Sequence, residues 1–148
     1  MRAGMLIIVL VAVAAGLALF GRDGPAGADA TDEALVALGQ GVYGEYCAQC
    51  HGVNLEGEAN WRRRRPDGTL PPPPHDESGH TWHHPDAQLF DYTKKGGAGV
   101  APPGFKSGMP GFEGTLTDND IWAVLAFIKS RWPPTVRKRQ ARINDSAG

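Results

Sequence analysis

The stretch Cys47-Ala48-Gln49-Cys50-His51 decides how the rest of this chain is interpreted. Two cysteines three positions apart, followed at once by a histidine, form the attachment signal for a covalently bound c-type haem. Two intervening residues let both thiols face one porphyrin edge, where each can form a thioether, and the next residue then falls under the metal. His51 is therefore the predicted proximal ligand of the haem iron.

Other functions of a Cys-x-x-Cys pair fit the sequence less well. A zinc ribbon needs a second pair of ligands with similar spacing, but Cys47 and Cys50 are the only cysteines of the chain. A thioredoxin-like redox pair requires a surrounding βαβ pattern, which this sequence lacks. A disulfide that closes so short a loop adds little stability. One covalent haem c, held by Cys47 and Cys50, is thus the predicted cofactor.

Length and composition indicate one domain with extensions. The chain has 148 residues, of which 20 are glycine and 12 are proline, as expected for short helices joined by long loops. Its formal net charge of −1 gives no sign of a nucleic-acid-binding protein. We predict a signal peptide or membrane anchor with linker at residues 1–30, a folded domain at residues 31–133 and a flexible tail at residues 134–148.

The N-terminal segment has the features of an export signal. Arg2 precedes residues 4–20, which are uncharged and almost wholly apolar, and two candidate cleavage sites follow at Ala26-Gly27-Ala28 and Ala28-Asp29-Ala30. The apolar run exceeds the about 7–15 residues of a signal-peptide core and lies at the short end of the about 17–25 residues that span a bilayer. A cleaved signal and a retained anchor both remain open. Either one places the domain on the periplasmic side of the membrane.

The first predicted helix precedes the haem motif, over residues 31–46. Its apolar residues recur at three- and four-residue steps and are Leu35, Leu38, Val42 and Tyr46. Gly39 lowers the helix propensity, so we expect it to serve a close approach to another element.

Two further helices are predicted in the second half of the chain. Residues 86–95 carry basic residues at their end and stop at Gly96. The last helix begins at Thr117, with Asp120 three residues later in the arrangement of a capping box, and it ends before Pro133-Pro134.

Together these features resemble a class I, mitochondrial-type, monohaem cytochrome c domain. In that family an N-terminal helix carries a Gly-x-x-x-aromatic pattern just before the haem motif, and here the pattern runs from Gly39 to Tyr43. Over roughly residues 32–132, the resemblance implies an all-α fold with three main helices and long loops around one covalent haem. It also implies that the first helix crosses the last one at Gly39.

Met109 is the candidate for the distal iron ligand. It is the only methionine outside the export segment, and the proline and aromatic residue that follow it match the class I pattern around that ligand. The resemblance therefore implies axial ligation by His51 and Met109. The alternative is a loop methionine that fills space in the core.

A histidine cluster lies between the haem motif and the second helix. Its members are His75, His80, His83 and His84. Three interpretations remain open. The histidines hydrogen-bond the loop backbone and the haem propionates, with Trp82 packed at the haem edge; or they bind a second metal such as copper or zinc; or one of them replaces methionine on the iron.

Two runs of one residue type stand in the same irregular segment. The four arginines at residues 62–65 are either a solvated stretch, with one guanidinium on a haem propionate, or a docking patch for an acidic redox partner or for anionic lipid headgroups. The prolines at residues 71–74 favour an extended polyproline II segment, which we expect to wrap the haem edge as a surface loop.

Two functional hypotheses follow. The sequence contains no set of residues spaced for catalysis, so the first hypothesis is a one-electron carrier rather than an enzyme, with His51 and Met109 filling both axial positions. It would act in periplasmic or membrane-associated electron transport, with unidentified redox partner proteins, a possible membrane tether and a possible place as a subunit of an oxidoreductase. The second is a histidine-rich copper-binding module or a haem-based ligand sensor.

Overall fold

The computed structural model describes residues 27–147, and this part of the chain is helical. Its α-helices are α1 (Glu33–Tyr46), α2 (Ala48–His51), α3 (Asp86–Lys95), α4 (Gly97–Val100), α5 (Asp118–Ser130) and α6 (Pro134–Ala147). A 3-10 helix spans Thr81–His83. Within residues 27–147 there is no strand beyond an isolated bridge between Glu113 and Leu116. The all-α prediction is confirmed.

The predicted export or anchor run, residues 4–20, lies outside the described residues. From residue 27 to residue 147, no helix combines the length and the apolar character needed to span a bilayer.

Helix α1 begins two residues later than predicted and buries a different stripe. Asp32 is the N-cap, and its side chain accepts a hydrogen bond from the Leu35 amide at 3.0 Å. The buried residues of the helix are Leu35, Gly39, Val42 and Tyr43. Leu38 and Tyr46, expected on the inner face, are 41% and 37% exposed. That expectation is wrong because the face of α1 that contacts α5 is centred on Gly39, which turns Leu38 outward.

The crossing of α1 and α5 is the main contact between helices and confirms the expected role of Gly39. A Cβ atom added to Gly39 would collide with the backbone of Ala123, so the two helices meet backbone to backbone at this point. Helix α5 starts with the predicted capping box, in which Thr117 and Asp120 bond each other's backbone amides. Its buried residues are Ile121, Ala123, Val124, Leu125, Ala126, Phe127 and Ile128. This helix forms the centre of the core.

Helix α3 has the predicted bounds, and its N-terminus is held by the C-terminal helix. The Asp86 carboxylate accepts hydrogen bonds from Lys129 at 2.5 Å, from Gln140 at 2.7 Å and from Asn144 at 3.0 Å. Gln140 is 1% exposed, so its amide lies fully inside the fold.

The expectation of a flexible tail is therefore wrong for Pro134–Ala147, which form a 14-residue helix. Its most buried residue is the polar Gln140, and its contacts to α3 are hydrogen bonds. Apolar periodicity does not reveal this helix, because its most buried residue is polar and Val136 packs only partly buried against the core. Within residues 27–147 the fold thus has four helices of ten or more residues, where three main helices were expected.

Candidate functional site

The two cysteines and His51 share one helical turn that continues directly from α1. Cys47 ends α1 by donating its amide to the Tyr43 carbonyl, and its own carbonyl accepts from the amides of Cys50 at 3.1 Å and His51 at 2.9 Å. Cys47 and Cys50 are not joined by a disulfide; Cys50 is exposed and Cys47 is half-buried. Burial raises the pKa of the Cys47 thiol to about 11. The turn thus presents two thiols and one imidazole together.

His51 is buried and has one nitrogen committed to the protein. Its Nδ1–H donates to the Pro73 carbonyl at 2.9 Å, and 8% of the residue is exposed. The hydrogen bond fixes the tautomer and leaves the lone pair of Nε2 as the one available to a metal. Burial also lowers the pKa of His51, which favours the neutral imidazole that metal binding requires.

The Pro73 carbonyl is held in place by backbone contacts between the proline run and the segment that follows His51. The Gly57 amide donates to the His51 carbonyl at 2.7 Å, and the Glu58 amide donates to the Pro72 carbonyl at 2.9 Å. Gly57 has a φ of +63°, and a Cβ atom there would collide with the Pro74 nitrogen. The proline run is therefore not only a surface loop: Pro71 and Pro74 are buried beside the haem motif. Only glycine at position 57 permits this approach.

Met109 lies on a loop that is docked on the C-terminal end of α3. Its carbonyl accepts from the Gly97 amide at 3.2 Å, and the Phe112 amide donates to the Thr93 carbonyl at 3.1 Å. The Phe112 ring meets the Tyr46 ring edge to face, with centroids 6.3 Å apart. Tyr46 directly precedes Cys47, so this contact ties the methionine loop to the haem motif. Met109 itself is half-buried.

The four histidines of the cluster do not converge. His80 and His84 approach each other at 3.4 Å between Nδ1 and Nε2, whereas the His83 ring packs on Trp82 with centroids 3.7 Å apart. His75 turns inward and stacks on His51. Among residues 27–147, no three His, Cys, Asp or Glu side chains are grouped so as to hold a metal ion. The structure therefore gives no support to a second metal site at this cluster.

Comparison with known proteins identifies the family. The sequence profile of the family described as "Cytochrome C oxidase, cbb3-type, subunit III" matches residues 34–128, well over half of the chain, and this range contains both the haem motif and Met109. The chain belongs to this family. No curated protein and no solved structure gives a significant match.

Membership makes the protein a class I-type monohaem cytochrome c domain, as the resemblance implied, with a covalently bound c-type haem. The domain is a haem-based electron-transfer module and is not itself catalytic. Cytochrome domains of this type work with redox partners or within oxidase complexes.

The residues present fit the haem. Two cysteine side chains and a buried imidazole with an uncommitted Nε2 stand on one turn of the cytochrome domain, which is the donor set that a c-type haem needs. The ligand roles of Cys47, Cys50, His51 and Met109 remain predictions.

The arginine run of the cytochrome domain is exposed, and three of its side chains have partners on the chain. Arg62 lies 3.8 Å above the Trp61 ring, Arg64 donates to the Gly68 carbonyl, and Arg65 pairs with a Glu58 oxygen at 2.6 Å. These contacts give the guanidinium groups a role in shaping the loop. Docking to an acidic partner or to lipid headgroups stays a prediction.

Two residues of the site were missed by sequence reasoning. Pro73 is 22 positions from His51, and only its carbonyl takes part, so no side-chain pattern reports it. His75 was assigned to the cluster with His80, His83 and His84, although it faces the haem motif instead.

Proposed function

We propose that this cytochrome domain is a one-electron carrier in which Cys47 and Cys50 form the haem thioethers and His51 and Met109 are the axial ligands. The bound haem supplies reversible one-electron oxidation and reduction of its iron. One observation carries the proposal: buried His51, with its Nδ1 held 2.9 Å from the Pro73 carbonyl, shares a helical turn with both cysteines.

The protein residues would leave no position on the iron for a substrate. His51 would hold the iron through Nε2, and Met109, on its docked loop, would hold it through its thioether. A thioether favours the ferrous state more than an imidazole does, so this ligand pair raises the potential relative to two histidines. With both residues bound in either oxidation state, electron transfer would need little rearrangement of the protein.

The position of His75 argues against this member of the cluster as the distal ligand. The rings of His75 and His51 are stacked face to face, with centroids 4.0 Å apart and planes 25° apart. Two imidazoles on opposite faces of a haem point their Nε2 atoms toward each other and cannot stack. His75 therefore belongs to the same side of the haem as His51.

We further propose that residues 4–20 are kept as a membrane anchor and that the domain works on the periplasmic side. Ala28 is 4% exposed and belongs to the core cluster. Both candidate cleavage sites, Ala26-Gly27-Ala28 and Ala28-Asp29-Ala30, would remove Ala28 from the mature domain. A retained anchor keeps this core residue. The mass of the intact mature protein tests the idea, because cleavage at either site would contradict it.

Covalent attachment is tested by a haem stain of denaturing gels. The full chain is produced in cells that mature c-type cytochromes, as wild type, Cys47→Ala, Cys50→Ala and Gln49→Ala. Gln49 is exposed between the two cysteines and serves as the matched control. We expect the stain to persist in Gln49→Ala and to fall strongly in both cysteine variants. Full staining of both cysteine variants would contradict the proposal.

A further inference from the structure

His75 is fixed from several directions at once. Its amide donates to the Leu55 carbonyl at 2.8 Å, and its carbonyl accepts from the Trp132 indole at 2.7 Å. Its ring nitrogen Nδ1 shares a hydrogen bond of 2.7 Å with the Thr81 hydroxyl. Leu55 and Trp132 are each 2% exposed, so both backbone contacts lie inside the fold. The His75 ring therefore has a fixed position and a fixed plane.

That ring lies on the face of the His51 imidazole. The centroids are 4.0 Å apart and the planes differ by 25°, which is a stacked arrangement. The Pro73 carbonyl holds the edge of the same imidazole through Nδ1. An edge contact alone lets the ring rock about its hydrogen bond, whereas an edge contact together with a face contact fixes the ring plane.

We propose that His75 is a positioning residue that sets the plane of the His51 imidazole, and that Thr81 holds His75 in place for this purpose. The inference rests on the proposed function, since it takes His51 as the proximal ligand. The orientation of an axial imidazole about its bond to iron determines how its π orbital overlaps the iron d orbitals. Groups that orient a metal-bound histidine therefore tune the electronic structure of the metal.

The arrangement also connects the proximal site to the core. Trp132 follows the end of α5, the most buried helix, and its indole reaches the His75 carbonyl. Thr81 begins the 3-10 helix, which packs against α6. Trp132 and Thr81 therefore link the position of the His75 ring, and through it the plane of the His51 ring, to α5 and α6.

The test uses electron paramagnetic resonance of the oxidised, haem-loaded full chain. The variants are His75→Ala, which removes the stacked ring; His75→Phe, which keeps a flat ring without the Thr81 bond; and Thr81→Val, which removes that bond alone. His83→Ala is the matched control, because His83 packs on Trp82 and is exposed. Haem content and unfolding temperature are measured in parallel.

We expect the g-values of His75→Ala to shift and its lines to broaden, because the imidazole plane is no longer unique. Thr81→Val and His75→Phe both keep a ring without the Thr81 bond and should change in the same direction by less, while His83→Ala stays close to wild type. Wild-type g-values and linewidths in both His75→Ala and Thr81→Val would overturn the proposal. If His75→Ala fails to fold, Thr81→Val decides alone, and an unchanged signal overturns it. Failure of the proposed function is a separate result, in which His51→Ala leaves the wild-type optical spectrum unaltered.

Discussion

Gly39 of α1 lies so close to Ala123 of α5 that a Cβ atom added to Gly39 would overlap the Ala123 carbonyl oxygen. The obstacle is backbone rather than the end of a flexible side chain, so relief requires the two helices to separate. We expect Gly39→Ala to lower the free energy of unfolding by about 3 kcal/mol. Chemical denaturation of the haem-loaded protein measures the loss.

Gly41, two positions further along α1, is the matched control for that substitution. A Cβ atom there would meet nothing within 4 Å. Because alanine is the better helix former, Gly41→Ala should raise the free energy of unfolding by about 0.5–1 kcal/mol. A Gly39→Ala variant as stable as Gly41→Ala would show that the helices do not cross in this way.

The Asp86 carboxylate joins α6 to the rest of the fold, and its removal should be costly. Lys129 and Asp86 form an ion pair whose side chains are 12% and 17% exposed, and two amides of α6 also donate to Asp86. Asp86→Ala leaves the Lys129 ammonium without its carboxylate partner in a half-buried site and takes one acceptor each from Gln140 and Asn144. We expect a loss of about 3 kcal/mol in the free energy of unfolding, with faster proteolysis within residues 134–147.

Asp91→Ala serves as the control for this ion pair. Asp91 pairs with Lys95 at 3.1 Å, but both side chains are about half exposed. An exposed ion pair adds little to stability, so Asp91→Ala should change the free energy of unfolding by no more than about 0.5 kcal/mol. Equal losses of unfolding free energy in Asp86→Ala and Asp91→Ala would contradict the stabilising role of the hydrogen-bond network at Asp86.

Tyr43 should make stability depend on pH in the alkaline range. Its hydroxyl donates to the Gly52 carbonyl at 2.8 Å, and burial above all raises the pKa of Tyr43 well above the ordinary value. The folded protein keeps this proton where the unfolded chain loses it. The stabilisation is thus fully present below pH about 10 and is lost as pH rises further.

We therefore expect Tyr43→Phe to cost about 1–2 kcal/mol at neutral pH, because the Gly52 carbonyl loses its donor. The variant should also show a flatter decline of the free energy of unfolding above pH about 10 than wild type. Denaturation series at several alkaline pH values measure both effects. Parallel declines in the two proteins would mean that the Tyr43 proton is not held by the fold.

Local signals in the sequence were sufficient for much of the fold. The capping box at Thr117 and Asp120, the stop at Gly96 and the approach at Gly39 each depend on residues close in sequence or on one glycine. These features predicted α1, α3 and α5 within two residues at their starts. The site at Cys47, Cys50 and His51 could also be predicted from the sequence, because its chemistry lies in five consecutive residues.

Contacts between distant polar groups were not readable from the sequence. Gln140 is 54 positions from Asp86, and its hydrogen bond to that carboxylate leaves no apolar periodicity behind. Likewise, the stack of His75 on His51 depends on how the proline run folds back, so the sequence grouped His75 with its neighbours. The spacing of apolar residues also predicted a buried Leu38, because spacing alone does not show which side of an apolar stripe contacts the partner helix.

The optical spectrum of the oxidised full chain tests the His51/Met109 assignment most directly. We expect a low-spin spectrum with the weak charge-transfer band, at the red end of the visible range, that marks a methionine–iron bond and disappears on reduction. Met109→Ala should keep the covalent haem, lose the band, lower the midpoint potential and bind carbon monoxide.

Gly108→Ala is the control, because a Cβ atom at Gly108 meets nothing within 4 Å and the loop should keep its form. This variant is expected to retain the band and the wild-type midpoint potential. A wild-type spectrum that is low-spin without the band, or a band that survives in Met109→Ala, would contradict the account. A high-spin wild-type spectrum would mean an open iron position and would favour a ligand sensor instead.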